Sequence, residues 1–242
     1  MLLVERGLAE SRQKAQAMIL AGEVEVEGVR AEKAGANIDE TAQIGVNSRL
    51  QKYVSRGGFK LEGALEDFRV GVDGLVCLDV GSSTGGFADC LLQHGARRVY
   101  AVDVNTDQLA WKLHEDERVV RIKKNARELT REDIGEEVDL VVADVSFISV
   151  KKVLAGACAC AKNGAHFLIL IKPQFELQRE DVGKGGIVRN PELHQQAIAG
   201  VRAAAESLRL QVLGVVPSRL MGAEGNQEYF LHAQKGPGVE SQ

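Results

Sequence analysis

The chain has few cysteines, no long apolar run and no excess of positive charge, and each absence removes a class of protein. Its four cysteines, Cys77, Cys90, Cys158 and Cys160, form no C-x-x-C pair and have no histidine at ligand spacing. That excludes a zinc cluster or a disulfide framework and predicts reduced, buried thiols in a cytoplasmic protein, with no metal at its functional site. The most continuous apolar stretch, Phe167 to Ile171 with its flanks, is far short of the roughly 18 residues of a membrane span. The opening Met1-Leu-Leu-Val-Glu5-Arg6 lacks the basic start, apolar core and cleavage site of a secretory signal. Lys and Arg number 30 against 34 Asp and Glu, a net charge of −4 that by itself points away from nucleic acid. What remains is 242 residues, 45% hydrophobic and 26% charged, enough for one large domain and a small one.

The charge is unevenly placed. Arg49, Lys52, Arg56 and Lys60 follow one another with no acid between them. Residues 61–117 hold 4 basic and 11 acidic side chains, whereas residues 118–131 hold 6 basic side chains against Glu128 alone. Attraction to a phosphate backbone depends on such local clusters, because salt limits the reach of a charge to roughly 8 Å. The net charge is therefore a poor guide to partners.

Residues 1–46 read as a small module of two short helices followed by the alternating strand Glu23-Val-Glu-Val-Glu27, turned by Gly28. A basic linker, 47–56, leads into a domain spanning 57–235, and 236–242 form a flexible tail. Within the large domain a helix over Leu61, Ala64, Leu65 and Phe68 precedes an alternation of strands and helices. Strands are expected at 75–80, 98–103, 119–123, 138–144, 165–171, 210–216 and 228–234, most of them apolar throughout, as strands covered on both faces are. Helices are expected near 86–94, 106–114, 150–162 and 191–208. The expected fold class is α/β, a Rossmann-like, mostly parallel doubly wound sheet, and a terminal antiparallel hairpin would make it the class I methyltransferase type and not the dinucleotide-binding one. Its last two strands lack a helix-length spacer and so form a terminal antiparallel hairpin.

The turn after the first strand of this domain, Asp79-Val-Gly81-Ser82-Ser83-Thr84-Gly85-Gly86-Phe87, is a glycine-rich ligand loop. A P-loop requires Lys and a hydroxyl where Phe87-Ala88 stand, and a dinucleotide fingerprint requires glycine where Ser83 stands. S-adenosylmethionine requires an acid upstream of the turn, the glycines, and an acid ending the second strand. Asp79, Gly81 with Gly85, and Asp103 supply these.

Four polar residues stand at the ends of apolar elements, where burial without a task is costly. They are Lys60, Asp144, Lys172 and Glu228. Carboxyl ends of strands in an open α/β sheet form the ligand crevice, so Asp144 and Lys172 should face the loop. A ribose 2′-hydroxyl is a weak acid, and an amine in its neutral form can take its proton during methyl transfer, with carboxylates holding the lysines in place. Carbon methylation of pyrimidines lacks its cysteine motif here. Methylation of exocyclic amines lacks its Asn-Pro-Pro-Tyr segment, replaced by Asp144-Val-Ser-Phe147.

Six motifs in order then resemble those of the TlyA family, FtsJ-like ribosomal RNA 2′-O-methyltransferases with an N-terminal alpha-L RNA-binding domain. They are Ser55-Arg-Gly-Gly-Phe-Lys60, Gly81-Ser-Ser-Thr-Gly-Gly-Phe87, Ala143-Asp-Val-Ser-Phe-Ile-Ser149, Lys172-Pro-Gln-Phe-Glu176, Gly183-Lys-Gly-Gly-Ile-Val-Arg189 and Gly225-Asn-Gln-Glu228. Ser11-Arg-Gln-Lys-Ala15 with Gly22-Glu-Val-Glu-Val26 resembles the RNA-binding module.

The resemblance implies a catalytic tetrad of Lys60, Asp144, Lys172 and Glu228, with Lys172 the proton acceptor. It implies S-adenosylmethionine held by Asp79, Gly81, Ser82, Ser83, Thr84, Gly85, Gly86, Phe87, Asp103 and Asp144, with Asn125 and Ala126 near the adenine. Ribosomal RNA, in ribosomal subunits, would be held by Arg12, Lys14, Arg49, Lys52, Arg56, Arg121, Lys123, Lys124, Lys184 and Arg189. The segment 173–190 would lid the site. No DNA partner is expected, and a monomer is favoured. The chain lacks the Arg-x-Asp that usually opens the RNA-binding module, which implies a trimmed first turn. The usual Ala of the loop is Ser82, and the Asp after Arg189 is Asn190. Two other classes compete: a non-catalytic RNA-binding or assembly factor, and a membrane-active hemolysin, a name the family often carries.

Overall fold

In a computed structural model the chain divides into two compact units, Met1–Lys52 and Tyr53–Gln242. The structure describes residues 2–9, 11–20, 22–31, 33–36, 38–39, 41–46, 52–222 and 225–237, without the side chains of residues 17, 20, 30 and 184.

The smaller unit has helices α1 (Leu2–Glu5) and α2 (Arg12–Leu20) and strands β1 (Val24–Val26), β2 (Val29–Arg30) and β3 (Ile44–Val46). Its sheet is antiparallel with β1 central. The β1–β2 hairpin turns on two residues, Glu27 and Gly28, both at positive φ (51° and 77°), the geometry whose twist matches the flanking strands. Among the described residues Leu3, Ala9, Ala15, Met18 and Val24 pack into a buried cluster, small because so short a chain has little to bury.

The larger unit opens with Tyr53, buried and edge-on to Phe59 at 5.0 Å. Helix α3 (Arg56–Phe68) buries Leu61, Ala64 and Leu65 along one face and ends where Arg69 turns left-handed. The alternation then runs β4 (Val76–Val80), α4 (Gly86–Gln93), β5 (Arg98–Asp103), α5 (Trp111–His114), β6 (Val119–Lys123), α6 (Arg131–Ile134), β7 (Val138–Ala143), α7 (Leu154–Cys160), β8 (Ala161–Ile171), α8 (Pro173–Glu176), α9 (Pro191–Ser207), β9 (Leu210–Pro217) and β10 (Tyr229–Lys235). The seven-stranded order is β6-β5-β4-β7-β8-β10-β9. The first five strands are parallel, while β10 runs antiparallel to both β8 and β9. One apolar core lies on each face of the sheet, which is why β4, β7 and most of β8 are buried along their length. All four cysteines are buried, and none is in a disulfide.

Two expected elements differ. The helix over 106–114 is broken: a 3-10 turn at Thr106–Gln108 and α5 flank an extended Leu109-Ala110, whose Ala110 N–H donates to Thr84 O at 3.1 Å. The glycine-rich loop thus takes a backbone donor that a continuous helix would have kept. The helix expected to reach 162 ends at Cys160, and β8 starts at Ala161 rather than 165, with a register slip opposite Val138 and Leu140.

Register places the site. Val80 pairs with Val102 and Ala143, Ala143 with Ile169, and Ile171 with Tyr229. Gly81, Asp103, Asp144, Lys172 and Glu228, each next to or at such a strand end, therefore share one edge of the sheet.

Candidate active site

The glycine-rich loop leaves β4 through Gly81, at φ 87° and so close to the next crossover that a Cβ would stand 2.5 Å from Asp144 O. Gly85, at φ 91°, is pressed against Leu113, which a Cβ would approach to 2.1 Å. Glycine at both positions lets the loop lie flat at the start of α4. Two clefts flank it. One of about 200 Å³ is walled by Ser55, Arg56, Lys60, Ser82, Thr84, Phe87, Asp144, Ser146 and Lys172 among others. The second, of about 400 Å³, lies between Gly81, Ser83, Asp103, Asn125, Ala126 and Phe147. Gly81, Ser83, Asp144 and Ser146 belong to both.

Two lysine–carboxylate pairs converge on the smaller cleft. Lys60 Nζ donates to Glu228 Oε2 at 2.5 Å, with side chains only 10% and 3% exposed. Gly222 passes directly over that carboxylate, so that a Cβ there would meet Glu228 Oε1 at 2.6 Å. Lys172 Nζ stands 2.5 Å from Asp144 Oδ1 and donates to Ser146 Oγ at 2.8 Å. The Asp144 contact is ionic and not an aligned hydrogen bond, since Oδ1 has no partner by hydrogen-bond geometry. Ser146 carried no expectation of its own. Its place two residues after Asp144, where exocyclic-amine enzymes carry proline, was the available signal.

The expected nucleotide residues fall into two groups. Gly81, Ser82, Ser83, Thr84, Gly86, Phe87, Asp103, Asn125, Ala126 and Asp144 wall one or both clefts. Asp79 walls neither. It is fully buried beneath the loop, neither oxygen has an aligned partner, and burial, followed by the charges of Asp144 and Asp103, pushes its carboxyl up to about 8. The Ala88 amide only partly offsets this. Gly85 is likewise absent from the walls and packs on Leu109 and Leu113.

The donor set fits S-adenosylmethionine. Asp103 accepts from Ser83 N at 2.9 Å, Asn105 N at 3.0 Å and Gln108 Nε2 at 3.3 Å, leaving room in its roughly four acceptor sites for a ribose hydroxyl. Val102, Val145 and Ile148 supply apolar wall for a base. Ser82 Oγ, on the smaller cleft, is buried without a partner, a polar atom awaiting one.

Of the basic residues expected to hold RNA, Arg12, Lys14, Lys52, Arg121, Lys123 and Arg189 are exposed. Arg56 borders the smaller cleft and donates to Met221 O, Arg121 contacts His114, Lys123 pairs with Asp107, and Lys124 pairs with Asp133 at 2.6 Å. Arg49 and the side chain of Lys184 lie outside the described residues. None of the described residues of segment 173–190, expected to lid the site, lines either cleft. Its far end is pinned by Asn226, 1% exposed, which accepts from Val188 N at 2.8 Å and donates to Gly186 O at 2.7 Å.

Comparison with known proteins matches residues 53–235 to the FtsJ-like methyltransferase family and residues 1–44 to the S4 domain. A Mycobacterium tuberculosis protein, 16S/23S rRNA (cytidine-2′-O)-methyltransferase TlyA, is 49% identical over 95% of this chain and 86% of its own. Hemolysin A of Brachyspira hyodysenteriae is 43% identical over 93% of this chain and 95% of its own. A solved structure from Streptococcus thermophilus, described as a candidate hemolysin, superposes with a TM-score of 0.78 at 38% identity, covering 97% of this chain and 86% of that one. Among the described residues no helix is long and apolar enough to cross a membrane.

Proposed function

The chain belongs to the TlyA family of FtsJ-like methyltransferases with an S4 domain, and from that premise we propose that it methylates the ribose 2′-hydroxyl of a cytidine in ribosomal RNA, using S-adenosylmethionine. The observation that carries this reading is the meeting of Lys172, Asp144 and Ser146 with the glycine-rich loop on one cleft wall.

S-adenosylmethionine, when bound, supplies an activated methyl group, so the protein has to align a nucleophile and manage one proton. Lys172 Nζ, as the neutral amine left once its ammonium proton has passed to solvent through the open cleft, takes that proton from the 2′-hydroxyl as the oxygen attacks, while Asp144 and Ser146 fix where the amine points. Lys60, held by Glu228, closes the opposite wall. Asp103 orients a ribose, and Asn125 and Ala126 border the base. Arg12, Lys14, Lys52, Arg56, Arg121, Lys123, Lys124 and Arg189 hold backbone phosphates, a role in which position and not base identity is read. We place the reaction in the cytoplasm, on ribosomal subunits or whole ribosomes, with the S4 unit gripping RNA and the sheet unit reacting.

The test is chemical. Label transferred from S-adenosylmethionine to ribosomal subunits is expected at a phosphodiester that resists alkali, because a methylated 2′-oxygen cannot attack its neighbouring phosphate. Label confined to alkali-labile positions overturns the proposal.

A further inference from the structure

We propose that Glu176 is a positioning residue that holds the Lys172 amine in register with the reacting hydroxyl. The inference rests on Lys172 being the proton acceptor. Lys172 stands at the end of β8 and caps α8, a single turn of four residues that begins with proline and in which only Pro173 is buried as a whole residue, backbone included. A turn this short has almost no stability of its own, so its place must be set by what it touches.

Three ties run in step between α8 and the crossover after β7. Lys172 meets Asp144 and Ser146. Phe175 meets Phe147 with ring centroids 5.5 Å apart. Glu176, its side chain 2% exposed, accepts from Ser149 Oγ at 2.5 Å and from Val150 N at 2.7 Å, with Lys151 Nζ at 3.7 Å. Ser149 also caps the next turn, accepting from Lys151 N at 3.3 Å. A carboxylate this deeply buried is tolerated only with such partners. The result is a closed ring: Lys172 to the Asp144–Ser146 segment, along the backbone to Ser149, across to Glu176, and back through α8. Cutting the ring at Glu176 leaves the amine chemically intact but free to shift. Residues 173–176 wall neither cleft, whereas Phe147 and Ile148 of the crossover border the larger one, so an unchanged cofactor affinity is the check that cutting the ring moves the amine and not the base wall.

The test measures single-turnover methyl transfer, cofactor affinity by calorimetry and thermal stability on the full chain. E176A is expected to slow transfer about ten- to a hundredfold, the scale on which a displacement near 1 Å acts, with the S-adenosylmethionine Kd within threefold. E176Q keeps an acceptor for Val150 N–H and offers a donor to Ser149 Oγ, so its rate should stay within about threefold of wild type. S149A should slow transfer as well, and adding it to E176A should cost little more. Full-rate E176A overturns the proposal, as does a matching loss of affinity and stability in both E176A and E176Q, which would assign Glu176 to packing. K172A assayed alongside separates the two levels. An active K172A removes Lys172 as acceptor, whereas an inactive K172A beside a full-rate E176A removes only the role of Glu176.

Discussion

The two lysine–carboxylate pairs at the edge of the sheet have the same chemistry and different surroundings. Lys60–Glu228 joins α3 to the residue before β10, across 168 positions of sequence, and its carboxylate is sealed at 3% exposed while Lys60 walls the smaller cleft. Lys172–Asp144 joins two crossovers, and Asp144 keeps 22% of its side chain exposed while Ser146 shares the ammonium. A sealed pair has desolvated both charges and depends on both being present. A pair open to a cleft can exchange a proton with what enters it. In the proposed mechanism the first pair holds the cleft wall of the tetrad and the second exchanges the proton.

The largest expected effect separates them by activity. K172A should lower methyl transfer at least about 10³-fold, within the range for a lost general base, while leaving S-adenosylmethionine affinity within a few-fold and thermal stability little changed. A rate near wild type on ribosomal subunits would remove the reactive role. Next comes stability. E228A leaves the Lys60 ammonium buried without its partner and should destabilise the sheet unit by about 3 kcal/mol, and K60M/E228L should recover most of that. Denaturant midpoints check it, and a double variant no more stable than E228A would show that the brace is more than a charge pair.

Ser146 sharpens the same comparison. S146A removes one of two groups holding the Lys172 amine and should slow transfer about tenfold, since one charge-assisted hydrogen bond is worth about 1.5–3 kcal/mol at most. Measured kcat at saturating cofactor decides it, and an unchanged value would leave Asp144 as the sole holder.

The last effect is one of pH and concerns Asp79, behind the loop. Its folded carboxyl is raised to about 8 from the ordinary 3.8, so the folded chain holds a proton that the unfolded chain has released above about pH 4. Stability from this group is complete below pH 4 and is lost as pH rises through 8. D79N should therefore match wild type at pH 4 and melt several degrees higher at pH 8. Parallel melting curves across that range would show that Asp79 stays ionised in the folded protein.

Much of this was legible along the chain because it is local. Strands buried on both faces read as apolar runs, and polar residues that end such runs stand out, which is how Asp144 and Lys172 announce themselves. Pairing across distance is not local. Nothing near Lys60 names Glu228 as its partner in preference to Asp144. Period is also silent about depth: Asp79 precedes the loop as a ligand-binding acid would, but in a strand covered on both faces either side is interior. The broken helix at Leu109-Ala110 carries no glycine or proline, and its cause is a donor taken by Thr84, 26 residues earlier. Glu176 sat within a recognised motif, yet its work depends on Ser149 and Val150, which only the folded crossover brings to it.

The central claim, ribose methylation with Lys172 as proton acceptor, is tested most directly by the identity of the product nucleoside. Ribosomal RNA treated with the protein and S-adenosylmethionine, digested to nucleosides and analysed by mass spectrometry, should contain added 2′-O-methylcytidine with wild type and none with K172A. A methyl group on a base, or the same ribose product from K172A, would contradict it.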